Sequence, residues 1–170
     1  SSTTVVIINA PSPGQLMYIP SQRELRGEPM PRYLRALAPA HTSVGVTRLD
    51  ARTLEVRPRH GYQLPPGAPV GGLADLWPLA HPSYACQYGD LFVRSSACPL
   101  QLGEQVDLPG MSARVIQLTD DGRPLQVRVT FSLPLEDPSL YWLRWDWRLQ
   151  RYVPCSPPRI GETLHVAGVR

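Results

Sequence analysis

The chain has 170 residues, which suits one domain with a hydrophobic core, since 42% of the residues are hydrophobic. All 17 basic residues are arginine, so chemistry that needs a lysine is excluded, including Schiff-base formation and phosphate binding by a Walker A lysine. The 20 prolines argue against long helices, and no apolar run approaches the roughly 20 residues of a membrane helix. The net charge of +3 is modest and the arginines are scattered, so no nucleic-acid partner is expected.

The first 57 residues predict a β-α-β element followed by a hairpin. Residues 5–8 are consecutively apolar, as in a strand that is covered on both faces. A capping pattern at Ser12 predicts a helix to about Arg26, and residues 32–38 form the next strand candidate. A strand, a helix and a second strand in this order predict a crossover between parallel strands. Two β-like runs, 44–49 and 53–57, then predict a hairpin.

Residues 58–90 are rich in proline and glycine and predict an irregular segment, which in a compact domain is either functional or mobile. Residues 91–170 predict a β-rich half. Its strongest signal is the alternation of residues 125–135, where every second position is apolar. The turn signal at 120–122 separates this strand from another β-like run at 113–119.

A further hairpin is predicted from residues 141–147 and 151–153. The sequence as a whole therefore predicts one α+β domain over 1–170. It is mainly antiparallel β, a sandwich or partly open barrel, with the β-α-β element at its N-terminal end.

The aromatic segment at 141–148 is the first candidate binding site. In a strand, Trp142, Arg144 and Arg148 share one face, while Trp147 lies on the other. Aromatic and arginine side chains together are typical of surfaces that stack sugars or single-stranded nucleic acid. The competing interpretation is structural: one face belongs to the core, and the arginine stems cover Trp142 at an edge.

A second candidate lies at Asn9 and Ser12, where a predicted helix begins just beyond a buried strand. The amino-terminal end of a helix can hold an anion. However, Pro11 and Pro13 remove amide donors that a phosphate would need, and Ser12 is already explained as a helix cap.

The three cysteines are Cys86, Cys98 and Cys155. Cys86 and Cys98 could form a disulfide, which would indicate an oxidising compartment, or they could both remain reduced. Neither cysteine nor histidine spacing matches a metal-binding pattern, so no metal is expected, and no motif indicates a cofactor. Signatures of a catalytic nucleophile are also missing from the sequence, so its catalytic residues, if it has any, are unknown.

Six stretches together resemble the soluble C-terminal domain of a family of uncharacterised bacterial polytopic membrane proteins. They are VVIINAP at 5–11, VTRLDARTLEVRP at 46–58, LGE at 102–104 with LPG at 108–110, DGRP at 121–124, LEDPSL at 135–140 and PPRIGET at 157–163. The likeness covers most of the chain and fails mainly between residues 60 and 88. It implies a membrane-embedded portion upstream, which would be the partner of this domain, and it implies no catalytic residues.

The first functional hypothesis is thus a non-catalytic accessory or interaction domain of a bacterial membrane protein. The cysteine pair favours the extracytoplasmic side. One alternative is a glycan-binding β-domain that uses Trp142, Trp147 and neighbouring arginines. Another is a small enzyme, or a contributor to an active site on the membrane portion. The sequence leaves open the oligomeric state and whether the whole protein is an enzyme.

Overall fold

A computed structural model describes residues 2–11, 13–40, 42–63 and 99–168. These residues form one helix, α1 (Pro13–Leu25), and ten strands. The strands are β1 (Thr4–Ala10), β2 (Tyr33–Pro39), β3 (Val44–Arg48), β4 (Thr53–Pro58), β5 (Gln105–Leu108), β6 (Met111–Leu118), β7 (Pro124–Phe131), β8 (Leu140–Asp146), β9 (Arg151–Pro154) and β10 (Thr163–Val166). Most of the predicted irregular segment, from residue 64 onward, lies outside the described residues.

A mixed four-stranded sheet has the order β2-β1-β8-β9. In it β1 runs parallel to both β2 and β8, and β9 returns antiparallel to β8. The predicted strand, helix and strand of the N-terminal region are confirmed. The helix contains Pro20, and Gly27, with a φ of +66°, follows its end in the left-handed conformation that glycine adopts without strain. The residues of β1 from Val6 to Ala10 are all buried, as expected for a strand that is covered on both faces.

An antiparallel six-stranded sheet has the order β10-β3-β4-β7-β6-β5. The predicted hairpins β3–β4 and β8–β9 are both confirmed. The two sheets do not close into a barrel within the described ranges. The α+β prediction, mainly antiparallel and sandwich-like, is therefore confirmed.

The strand predicted over residues 125–135 is shorter than expected, since β7 ends at Phe131. Beyond it the chain leaves the ladder: the Ser132 N–H donates to the carbonyl of Gly110, and the Leu135 N–H donates to that of Ala51. Leu133 is exposed, whereas Leu135 is fully buried because the loop folds back over the core. The alternation past Phe131 thus belongs to a loop, and the prediction was wrong there.

The core lies between the two sheets. Val6 and Ile8 of the four-stranded sheet belong to the same buried cluster as Val46, Leu54 and Val56 of the six-stranded sheet. Alternate residues of β3, β4 and β7 reach this cluster, which is why the period-two pattern is visible in the sequence. The six-stranded sheet is wider, and β5 at its edge has four exposed residues.

Candidate interaction surface

Asn9 is fully buried near the end of β1. Its Oδ1 accepts a hydrogen bond from the Trp145 backbone N–H at 2.8 Å, and its Nδ2 donates to the Trp145 carbonyl at 3.4 Å. Both ends of the amide are therefore engaged by one neighbouring strand. Ser12, the other half of the predicted anion site, lies outside the described residues. What the structure shows of Asn9 is a structural role.

Trp142 belongs to the main core rather than to an exposed platform. Its side chain is 5% exposed, and its ring lies 5.6 Å from that of Phe131, centroid to centroid. Its Nε1–H donates to the carbonyl of Leu135 at 2.8 Å. A sugar ring could reach the face of Trp142 only if the core opened.

The remaining residues of the aromatic segment are not brought to Trp142. Trp147 packs edge-on against Trp145, with ring centroids 6.0 Å apart. Arg144 is half-buried with its guanidinium 3.9 Å from the Asp146 carboxylate, and Arg148 is exposed. Trp147 lies beyond Asp146, where β8 ends, so the alternation of the strand does not place it beside Trp142.

One feature of the aromatic segment still bears on a ligand. The indole N–H groups of Trp145 and Trp147 and the hydroxyl of Tyr152 are buried without a hydrogen-bond partner. Tyr152 also contacts Trp145, with ring centroids 5.0 Å apart, so the three side chains form one cluster. The glycan alternative stays a prediction, with Trp147 and the arginines as its candidate residues, since Trp142 is buried in the core.

The thiol and metal candidates give no site within the described ranges. Cys86 and Cys98 both lie outside them, and Cys155 is a free thiol. Burial raises the pKa of Cys155 to about 11, although the Arg144 charge acts in the opposite direction. That is the reverse of what activates a cysteine nucleophile. The described residues contain no group of three or more side chains that could hold a metal ion.

Among the described residues, the carboxyl groups whose pKa is displaced are all shifted downward. A hydrogen bond from Arg48 lowers the pKa of Glu136, and one from Arg123 lowers that of Asp121. The Ser139 hydroxyl does the same for Asp137, and the backbone N–H of Arg52 for Asp50. None of these four is adapted to act as a proton donor near neutral pH, because an acid needs a raised pKa.

The set of contacts that Arg48 makes was not predicted from the sequence. Its buried guanidinium makes two hydrogen bonds to the Glu136 carboxylate and donates to the carbonyls of Asp50 and Pro158 at 2.8 and 3.3 Å. The Gly161 N–H also donates to the carbonyl of Arg48. These contacts join the β3–β4 turn, the loop before β8 and the segment before β10. The partners are far apart along the chain, so no local pattern could reveal them.

A second feature that sequence reasoning missed is an edge strand with exposed apolar residues. The β5 edge comprises residues 105–108 of β5 together with Leu102 just before it. All four strand residues are exposed, with Val106 at 45% and Leu102 at 65%. No described strand pairs with the outer side of β5. The sequence signal was the apolar residue at every second position, which normally marks a buried face.

The hairpin geometry determines which backbone groups the β5 edge presents to solvent. Pro109 and Gly110 form a two-residue turn, in which Gly110 has a φ of +84°. The turn is closed by the pair Leu108–Met111, and hydrogen-bonded pairs alternate along an antiparallel ladder. The N–H and C=O groups of Gln105 and Asp107 therefore point outward.

No protein-family model, curated protein or solved structure matches the chain. Among the described residues, the helix is too short to traverse a lipid bilayer. The class that the described residues define is thus a two-sheet α+β domain with a solvent-exposed edge strand.

Proposed function

We propose that the chain is a non-catalytic interaction domain of a bacterial membrane protein. The observation that carries this proposal is the β5 edge. A strand whose outward backbone groups and apolar side chains are exposed is suited to adding a strand from another chain, a common mode of protein recognition. Natural proteins protect such edges with charged residues, proline, a covering loop or a short strand. β5 is short and carries Asp107, but it has no lysine or proline within it and all four of its residues are exposed.

The rest of the described structure supports a binding role over a catalytic one. The polar groups that could do chemistry hold the fold together: Asn9 bridges two strands, and the Arg48–Glu136 pair joins three loops. Within the described ranges, these polar groups are therefore occupied by structural contacts and do not converge as acids and bases on one site.

Site-specific photocrosslinking of the full-length protein in living cells tests the interaction. A benzophenone amino acid would replace Val106 on the β5 edge, and in a matched control it would replace Arg57, which is exposed on β4. Strand addition at β5 predicts a protein adduct at position 106 that is absent at position 57. Equal adducts at both positions, or none at 106, would contradict the proposal.

Turnover by the purified domain is the second test. If the domain alone converts a substrate, and replacing a polar residue abolishes that turnover without unfolding the chain, the domain is catalytic and the proposal fails. Circular dichroism of the same variant separates loss of a catalytic group from loss of the fold.

The membrane context is part of the proposal and rests on the resemblance described above. The full-length protein is expected in the membrane fraction, resistant to extraction by alkaline carbonate.

We propose the extracytoplasmic side for this domain, and modification of Cys86 and Cys98 tests it. If they form a disulfide, a maleimide reagent should label them only after reduction. Labelling of both thiols in untreated cells extracted under alkylating conditions would argue for a reducing compartment.

A further inference from the structure

We infer that the partner of the β5 edge is the β5 edge of a second copy of this chain, paired antiparallel about a two-fold axis at Val106. This inference rests on the proposed function, because it names the partner of the same edge. Its outcome would be a continuous twelve-stranded sheet built from two six-stranded sheets.

The outward backbone groups fit this symmetry. An axis at Val106 places Gln105 opposite Asp107 of the second copy, and Asp107 opposite its Gln105. Both are residues whose N–H and C=O groups point outward, so the two pairs would form four hydrogen bonds. Val106 would face its own counterpart in the pair without hydrogen bonds.

The register centred on Asp107 is poorer for reasons that the sequence supplies. An axis at Asp107 would set the two Asp107 carboxylates directly opposite each other, and like charges opposite each other are unfavourable. The same register would bring Pro109, which has no N–H, opposite Gln105. The Val106 axis avoids both problems.

The side chains beside the axis are complementary as well. Gln105 Nε2 donates to Asp107 Oδ1 at 2.7 Å within one chain, so the same two groups can bond between two copies. Gln105 lies opposite Arg114 in the β5–β6 ladder. Pairing about Val106 therefore places Asp107 of the second copy in the same cross-strand row as Arg114, about 10 Å away with Gln105 between them. On the other face, the exposed Val106 side chains would cover each other.

The length of the edge favours a copy of itself over a long extended peptide. Pro109 ends the strand on one side, and Gly103, at a φ of +82°, turns the chain on the other. A short edge can form few backbone hydrogen bonds. A partner strand of the same length with complementary side chains is therefore favoured over an extended peptide of arbitrary sequence.

Disulfide trapping tests the register. Val106→Cys places two thiols at the axis, where Cα atoms of a pair without hydrogen bonds lie about 4.5 Å apart, within disulfide reach. Leu108→Cys is the matched control, because residue 108 would lie opposite residue 104, and its two copies would be about 13 Å apart. We expect oxidation of the full chain to give a covalent dimer from V106C, well above the yields from L108C and the unmodified chain.

Sedimentation velocity over a range of concentrations gives an independent measurement. Asp107→Pro removes an outward N–H while leaving the β5–β6 bonds in place, and Asp107→Asn keeps the N–H as its control. We expect D107P to weaken self-association at least roughly ten-fold, and D107N much less, since two of the four backbone bonds are lost only in D107P. Unchanged far-ultraviolet circular dichroism would show that D107P remains folded.

A monomer at every concentration, with no excess crosslinking of V106C, would overturn the inference. The photocrosslinking experiment then separates the two proposals. An adduct from position 106 to a different polypeptide would contradict self-pairing but would still support the proposal of an interaction domain. If position 106 gives no adduct of either kind, both fail.

Discussion

The side-chain amide of Asn9 hydrogen-bonds to both the N–H and the C=O of Trp145, at the point where two parallel strands part. The backbone register of β1 and β8 ends at the pair Ile7–Leu143. Beyond that pair, the Asn9 side chain continues the contact between the two strands, since its amide supplies one donor and one acceptor to the backbone of Trp145. These two hydrogen bonds explain why a polar residue, Asn9, is buried near the end of a strand that is otherwise apolar.

Replacing this amide should be strongly destabilising. Asn9→Leu would leave the Trp145 N–H and C=O buried without partners, and each unsatisfied group costs about 1–3 kcal/mol. We expect the free energy of unfolding to fall by about 2–5 kcal/mol, measured by urea denaturation. Ser132→Ala on the exposed loop after β7 is the control and should change stability by less than about 0.5 kcal/mol. A loss below 1 kcal/mol in N9L would show that the bridge is dispensable.

The Arg48–Glu136 pair should make stability depend on acid pH. The hydrogen bond from Arg48 lowers the pKa of Glu136 below its ordinary value of 4.5. Because the folded pKa is the lower one, the contribution is present above about pH 4.5 and is lost as the pH falls through the folded value. We expect Glu136→Gln to unfold more readily than the unmodified chain at pH 7, and the two to converge below the folded pKa.

Denaturation midpoints measured at intervals between pH 2 and pH 7 would check this dependence. Asp137→Asn, at the neighbouring carboxylate, is a useful comparison, because the Ser139 hydroxyl rather than an arginine lowers its pKa. Salt should therefore reduce the effect of E136Q more than that of D137N. A constant difference between E136Q and the unmodified chain across the whole pH range would contradict the assignment.

The Cys155 thiol should react slowly with alkylating reagents. Burial raises its pKa from an ordinary 9.0 to about 11, so its thiolate fraction at pH 8 is roughly a hundredfold below that of an exposed cysteine. In a variant with Cys86 and Cys98 replaced by serine, we expect the rate with iodoacetamide to rise tenfold per pH unit up to about pH 11. Arg144→Gln should slow it further, because the Arg144 charge lowers this pKa. A rate that levels off near pH 9 would contradict the burial argument.

The sequence predicted those parts of the fold in which neighbouring residues carry the signal. The consecutive apolar residues of β1, the helix closed at Gly27 and the period-two strands follow from local chemistry. The failures come from contacts between distant residues. Leu135 alternates with Phe131 but reaches the core through a loop, and Trp142 is buried because Phe131 and the Leu135 carbonyl meet it from another element. The exposure of β5 could not be predicted either. Alternation shows that a strand has two different faces, but it does not show whether another layer covers one of them.

Gly168 is the position where a single methyl group should be least tolerated. A Cβ there would lie 2.2 Å from the carbonyl carbon of Thr42 and 2.5 Å from the backbone nitrogen of Ser43. Both are main-chain atoms that a rotamer change cannot move, so Gly168→Ala must displace the segment after β10. We expect a loss of about 1–3 kcal/mol in the free energy of unfolding.

Gly45→Ala is the matched control for this prediction, because its Cβ would meet its nearest neighbour, a side-chain methyl of Thr163, at an ordinary 3.7 Å. It should change stability by no more than about 0.5 kcal/mol. Amide hydrogen exchange would locate the effect: G168A should lose protection in β10 and along its partner β3, while the four-stranded sheet keeps its own. Equal stabilities of G168A and G45A would show that the chain after β10 can be moved away from Thr42 at little cost, and that this contact does not hold β10 against β3.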